Sequence, residues 1–421
     1  MSKKKALPNI LFVHTVCPAQ FSDLCEYLNE EGLANAYYMT TPGNRERNLS
    51  KYQNLLPLTP DGNIVGQNAY YYSGKVERAG RIGVALFKHV QELRRSLRID
   101  LIVAHGSMGS PHMLFDELDI PIITYIEFPS YADHGWLPKF PPTEGQRLTD
   151  KNMQMLSFYE VLKSDLTIVP TEYARNMFPE SLRERITARF EGMIPERIDE
   201  REPCGYSFDD KPKTLGFAAR DLSSAKGLDV FLETAKFLID KGSDAHFVII
   251  GDETATTYGY ERVFLDRKYG KERAVTYLDH MMRQLKLDSS RFTITGKLPY
   301  KAFSDILHKI DLFMYPVRFG AGNWGLMELL ARGCAVVASD RCYVEEMIED
   351  GVNGMLVRED SPSTWAKTLE PLLEDGEKRA RLSAEALARA PQFHMPQVAR
   401  EYMAIFEGVI QKHAPKRKKK R

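Results

Sequence analysis

Residues 214–251 read TLGFAARDLSSAKGLDVFLETAKFLIDKGSDAHFVIIG. Two short apolar runs, Thr214–Ala219 and His246–Gly251, bracket a stretch in which Phe231, Ala235 and Leu238 recur at helical spacing. Neither run alternates apolar with polar residues, so a strand built from it has two apolar faces, and both must be covered. Strand, helix and strand in that order describe a parallel sheet closed by a right-handed crossover.

The same scheme extends both ways along the chain. Downstream lie Arg291–Ile294, Asp311–Tyr315 and Cys334–Ala338; upstream lie Asn9–His14, Ala34–Met39, Asp100–His105, Pro121–Ile126 and Asp165–Val169. At 421 residues the chain exceeds one ordinary domain. The charged stretch 197–213, RIDEREPCGYSFDDKPK, carries Pro and Gly but no apolar period, and is read as the join. The expected division is therefore 1–200 and 212–395, followed by an amphipathic helix over 396–413 and a basic tail over 414–421. Residues 129–150, rich in Pro and aromatics, read as an inserted functional loop.

Composition narrows the function classes. Lys plus Arg equals Asp plus Glu at 57 each, so the body offers no general electrostatic attraction for nucleic acid. The five cysteines, Cys17, Cys25, Cys204, Cys334 and Cys342, form no CxxC pair and read as reduced thiols in a cytoplasmic protein, with neither a metal nor a disulfide framework. The apolar run before His14 is too short for a secretory segment, and nothing approaches the ~20 apolar residues of a membrane helix. Residues 416–421, KRKKKR, depart from neutrality. They read either as a solvated tail or as an attachment to anionic lipid.

In open parallel sheets ligands bind beyond the carboxyl ends of strands, so polar residues there deserve inspection. After the strand ending at Ala219 comes Arg220, and Lys226–Gly227 opens the next helix; two cations beside a helix N-terminus suit a pyrophosphate. Residues 315–340, YPVRFGAGNWGLMELLARGCAVVASD, place a glycine-rich loop before a helix starting near Asn323 or Trp324. Glu328 lies one turn into that helix, where its carboxylate either accepts ribose hydroxyls or merely compensates the helix. His105 ends a strand and precedes a turn of small residues; it either reaches a sugar or serves the core. His14 and Gln20 stand in the loop after the first strand, which lacks a GxGxxG fingerprint. The sequence contains no DxD pair of the kind that holds a metal-bound pyrophosphate.

Taken together these segments resemble glycosyltransferase family 4, also called glycosyl transferases group 1. FVHTVCPAQF at Phe12–Phe21, VAH at Val103–His105, YIEF at Tyr125–Phe128, Arg220 with Lys226–Gly227, GDE at Gly251–Glu253 with Tyr258–Gly259, and WGLMELLARG at Trp324–Gly333 follow the family's order and spacing. The resemblance runs from about Ile10 to Met403. It implies an α/β fold of the GT-B type, two Rossmann-like domains facing a cleft, with the C-terminal helix crossing back to the N-terminal domain. It implies a retaining, hexosyltransferase-type enzyme that uses a nucleotide-diphosphate sugar as co-substrate, with no cofactor and no metal. Arg220, Lys226, Gly251, Tyr258, Gly296, Gly325, Leu326 and Glu328 would bind the donor, with the base near Gly296–Pro299. His105, Arg220 and Lys226 would act in catalysis, and His14, Gln20 and Glu127 would face the acceptor. The acceptor expected from the family is a growing cell-surface glycan, lipid-linked in some relatives, at the cytoplasmic face of the membrane.

Two departures stand out. The wider family has a second Glu eight positions before the ribose Glu, where this chain has Gly320, and the loop Arg318–Asn323 is longer than in the nearest subgroup. Arg318 and the loop glycines are then the groups placed to substitute. A non-catalytic nucleotide-sugar-binding protein, or a nucleotide-sugar epimerase or phosphorylase of the same fold, are the competing readings.

Overall fold

The computed structural model describes residues 6–62, 70–130, 137–255 and 260–419, with side chains of the final segment described over 261–413. Tyr258 and residues 420–421 lie outside them. The chain divides into two compact units. Met1–Tyr131, Thr143–Ile194 and Phe393–Arg421 form the first; Ala132–Pro142 and Pro195–Gln392 form the second.

The first unit is built on seven parallel strands: β1 (Asn9–Val13), β2 (Asn35–Thr40), β3 (Leu55–Pro57), β4 (Leu101–His105), β5 (Ile122–Tyr125), β6 (Leu166–Val169) and β7 (Ile186–Ala188). Their order is β3-β2-β1-β4-β5-β6-β7. The continuous apolar runs are explained by two cores, one on each face. Ile10 and Phe12 of β1, with Leu101 and Val103 of β4, enter one core. Leu11 and Val13, with Ile102 and Ala104, enter the other. Period-2 side-chain geometry sends neighbours to opposite faces, so a doubly covered strand needs apolar residues throughout.

The Met395–Lys419 helix completes the first of those cores. Val398, Tyr402, Phe406 and Val409 are buried in it beside Met395 and Ala399, while Ile405 packs at its edge. Phe406 meets Phe12 edge-on at 6.0 Å, and the Tyr402 hydroxyl donates to the Arg189 carbonyl at 3.1 Å. The last segment of the chain thus belongs to the unit formed by its beginning.

The second unit carries six parallel strands: β8 (Thr214–Asp221), β9 (His246–Asp252), β10 (Phe292–Ile294), β11 (Leu312–Tyr315), β12 (Val336–Ser339) and β13 (Met355–Val357). Their order is β10-β9-β8-β11-β12-β13. In each sheet the order reverses beside the first strand, between β1 and β4 and between β8 and β11, which opens a crevice at the carboxyl ends.

Several boundaries differ from the expectation. β3, β7 and β13 are three-residue strands, too short to leave a periodic signal, and β3 ends on Pro57 at the sheet edge, where a missing N–H is tolerated. β8 runs through Arg220 to Asp221 across a register shift at Ala218/Asp221, instead of ending at Ala219. The units divide at Ile194/Pro195, ahead of the expected join. Residues 195–205 are no loose linker: the Ile198 carbonyl accepts from Ser304 Oγ, Glu202 N–H donates to the Lys301 carbonyl, and Cys204 N–H donates to Asp305. The insertion is also shorter than expected, because Thr143 caps a helix over Glu144–Lys163 through a capping box with Gln146. Its residues 137–142 pack in the second unit, where Phe140 meets Phe264 and Tyr277 at 5.0 and 5.7 Å.

Candidate active site

In the second unit the loops after β8 and β11 are fastened together. Gly227 has φ +81° and a Cβ there would stand 2.0 Å from the Pro316 carbonyl, so only glycine admits this approach. Arg318 N–H donates to the Ala225 carbonyl at 3.0 Å, completing the seam. Burial pushes the Cys342 thiol up to about 12, and the Lys226 charge and a backbone hydrogen bond from Gly320 oppose that rise. Arg220 projects from the end of β8 with a largely exposed side chain, 3.8 Å from Asp221.

The neighbouring strand ends supply the next part. Gly251, at the end of β9, has φ +153°, and a Cβ on it would meet the Ala219 carbonyl at 2.1 Å. Its N–H donates to the Gly296 carbonyl at 3.2 Å. Two glycines 45 positions apart in sequence are hydrogen-bonded neighbours beside the Arg220 strand. The Tyr300–Leu307 helix begins just beyond this turn.

The Trp324–Ala331 helix follows the glycine-rich loop, as its pattern indicates. Glu328 is half-buried, which raises its carboxyl pKa; the nearby Arg332 guanidinium and a hydrogen bond from Tyr300 oppose that rise. The Tyr300 hydroxyl donates to Glu328 Oε1 at 2.8 Å and accepts from Arg332 Nη2 at 3.0 Å. Leu326 is fully buried and its amide faces the Tyr315 hydroxyl, so the side chain serves the core. Gly325 is open, its nearest neighbour to a Cβ being the Tyr315 hydroxyl at 3.9 Å.

Arg318 does not reach outward to replace a missing carboxylate. Its side chain is 9% exposed and forked onto Asp229 at 2.6 and 3.1 Å, with further bonds to the Ser224 carbonyl and Asp360. A guanidinium so fully partnered is a structural clamp across the seam, because removing it from water is offset only by such partners. Nor is position 320 roomy: a Cβ on Gly320 would stand 2.6–2.9 Å from the Asn323 side chain. Asn323 fills the space that a side chain at 320 would need.

In the first unit His14, Gln20, His105 and Glu127 come together at the carboxyl ends of β1, β4 and β5. The His14 and His105 rings meet edge-on at 4.9 Å, and Gln20 Nε2 donates to Glu127 Oε1 at 3.0 Å. Met108 N–H donates to His105 Nδ1 at 3.3 Å, which leaves the ring proton on Nε2. Burial lowers His105 to about 4; burial and the neighbouring His105 lower His14 to about 3. Both rings are neutral at pH 7, and His105 is a hydrogen-bond donor through Nε2. Sequence reasoning missed Arg78, whose charge bears on His14 and whose Nη2 lies 3.4 Å from Met108 Sδ. It also missed Tyr300; neither position carries a local motif. Among the described residues no group of His, Cys, Asp and Glu is placed to hold a metal ion.

Residues 40–197 match the model of the glycosyl transferase family 4 group, and residues 199–389 that of glycosyl transferases group 1. An alpha-D-kanosaminyltransferase of Streptomyces kanamyceticus is 26% identical over 288 residues, covering 66% of this chain and 67% of that protein. In structure the chain is similar to sucrose-phosphate synthase of Thermosynechococcus elongatus, with TM-score 0.70, 14% identity and coverage of 96% and 100%. It is likewise similar to Anabaena HepE solved with UDP-glucose, with TM-score 0.65, 15% identity and coverage of 95% and 99%. The fold is that of the GT-B transferases. The chain belongs to the glycosyltransferases of family 4, with a group 1 C-terminal half, and is an enzyme of that class.

Proposed function

We propose that this glycosyltransferase moves a sugar from a nucleotide-diphosphate sugar to an acceptor glycan with retention of anomeric configuration. The observation that carries the reading is the carboxyl end of the second sheet, where Arg220, Lys226, the Gly251–Gly296 turn and Glu328 lie on or just beyond the ends of neighbouring strands. The cations suit a diphosphate and its developing charge as the sugar departs. Glu328 suits ribose hydroxyls, and the turn before Tyr300 suits the base. The leaving diphosphate itself accepts the acceptor's proton, so no carboxylate nucleophile is assigned. Neutral His105 donates a hydrogen bond to the donor sugar. The kanosaminyltransferase among the relatives and the UDP-glucose held by HepE support a nucleotide-sugar donor. The acceptor is a cell-surface glycan carried on lipid, and residues 416–421 attach the enzyme to an anionic membrane face.

The test is a thermal-shift screen of nucleotide sugars, since a ligand that binds only the folded state raises the melting temperature. The donor that emerges is then incubated with lipid-linked acceptors, and the anomeric configuration of the product is read by NMR. Stabilisation without hydrolysis or transfer would favour a non-catalytic binding protein; an inverted product would overturn retention.

A further inference from the structure

The Glu144–Lys163 helix of the first unit is apolar on two sides. Leu156 and Val161 lie in the interior with Thr149, Asp150 and Glu160. Leu148, Met155, Tyr159 and Leu162 lie on the surface, with Met155 63% and Leu162 52% exposed. Their spacings of seven, four and three residues put all four within an arc of about 60° on a helix of 3.6 residues per turn, a stripe about 21 Å long. Tyr71, also exposed, extends the stripe: its ring stands against the first turn, 2.7 Å from where a Cβ on Gly145 would lie.

Charge identifies what covers this stripe. Arg147 and Lys151 are exposed on the helix and Lys163 is paired with the exposed Asp116, while two of its three acidic residues after Thr143, Asp150 and Glu160, are buried, leaving Glu144 outside. The helix ends at Lys163, two residues before Asp165, and His413 of the last helix sits 3.3 Å from both Asp165 and Asp119. The chain therefore enters its basic segment, Lys412 and then residues 416–421, from the foot of the stripe. An exposed apolar helix face with Arg147 and Lys151 along it, and a polybasic run that follows His413 in sequence, match a surface that is apolar beneath anionic headgroups.

We infer that the face of the Glu144–Lys163 helix bearing Leu148, Met155, Tyr159 and Leu162 lies in the headgroup layer of an anionic bilayer. The helix rests parallel to the membrane, Arg147 and Lys151 meet headgroup phosphates, and the apolar side chains reach below them. The inference rests on the membrane reading of the basic tail, and names the surface that makes attachment more than electrostatic.

Flotation of the full chain with vesicles of phosphatidylcholine, alone or mixed with phosphatidylglycerol, tests it. The wild type is expected to float with the mixed vesicles and to retain part of that binding at high salt, where exposed charges are screened. The combined variant Leu148→Ser, Met155→Ser, Leu162→Ser is expected to lose roughly tenfold or more in partitioning, including all of the salt-resistant part. Met155→Trp, which needs no cavity or charge to be tolerated, is expected to raise binding severalfold. Unchanged binding in the folded serine variant overturns the inference, as does a Met155→Trp chain that floats no better than wild type. If deleting residues 416–421 abolishes flotation while the serine variant floats normally, the tail reading stands and the stripe is excluded. No flotation of the wild type excludes both. A wild-type dimer that the serine variant dissolves, with no difference in flotation, assigns the face to a second copy instead.

Discussion

The Tyr300 hydroxyl stands 2.8 Å from Glu328 Oε1, and 3.0 Å from the Arg332 Nη2 that donates to it. With its lone pair engaged by a guanidinium, the phenol has one direction in which to give its proton, toward the carboxylate. Arg332 is itself fixed by Ser304 Oγ at 3.1 Å and stacks over the Tyr300 ring at 5.5 Å. Glu328 thus keeps a defined rotamer with one oxygen already satisfied. Tyr300→Phe removes the hydrogen bond that orients Glu328, and is expected to weaken nucleotide binding with the fold intact. A 2′-deoxy donor should bind the wild type more weakly than the ribo form, with that discrimination shrinking in Tyr300→Phe and vanishing in Glu328→Ala. Titration calorimetry on the three proteins reads this directly, and equal discrimination in all three would remove Glu328 from the ribose.

Arg220→Ala and Lys226→Ala are each expected to reduce turnover at least tenfold, about 2–4 kcal/mol if the charge acts on the departing diphosphate. Arg220 is largely exposed, Lys226 is half-buried and neither belongs to the apolar core, so melting temperatures should move little. Wild-type rates in a folded variant would exclude that residue.

His105→Asn should lower transfer while leaving nucleotide affinity nearly unchanged, because the ring lies in the first unit and donates through Nε2 as a neutral group. Its folded value of about 4 lies below the ordinary 6.5, so the unfolded chain takes up a proton first as pH falls. Stability from this residue is present above pH 6.5 and is lost as pH drops toward 4. Rate profiles should therefore show no histidine limb between about pH 6 and 8, and EDTA should not abolish transfer. A strict requirement for a divalent ion would contradict the proposed mechanism.

Glu160 gives the opposite slope. Burial holds its carboxyl at about 8 against an ordinary 4.5, and a Cβ on Gly106 would lie 2.6 Å from its Oε2. The unfolded chain ionises near 4.5 while the folded chain keeps its proton to about 8, so stability falls as pH rises through that window. Glu160→Gln cannot ionise and should flatten this dependence, ending more stable than the wild type at alkaline pH. Urea midpoints measured across the window provide the check; parallel slopes in both proteins would show that Glu160 ionises freely.

Much of this was legible in the residues because a parallel sheet covered on both faces leaves a continuous apolar run. Ile10 to Val13 feed alternate cores, yet all four must be apolar whichever face each takes. That Arg220, Lys226 and Glu328 would stand at or just beyond strand ends was legible for a related reason: those offsets are local. The buried stripe of the last helix was written in its own period, from Val398 to Val409.

What tertiary structure alone decided is which distant residues meet. Nothing local tells Tyr300 from any other tyrosine after a proline; its role comes from a helix that places Glu328 and Arg332 against it from about 30 positions away. Arg318 looked like an outward-reaching cation, and its partners Asp229 and Asp360 lie 89 and 42 positions off, so the clamp is invisible along the chain. The depressed histidines and the neutral Glu160 likewise depend on burial, which many segments create together. Periodicity records the face a residue must cover, whereas charge state and partner depend on what the rest of the chain brings to that face.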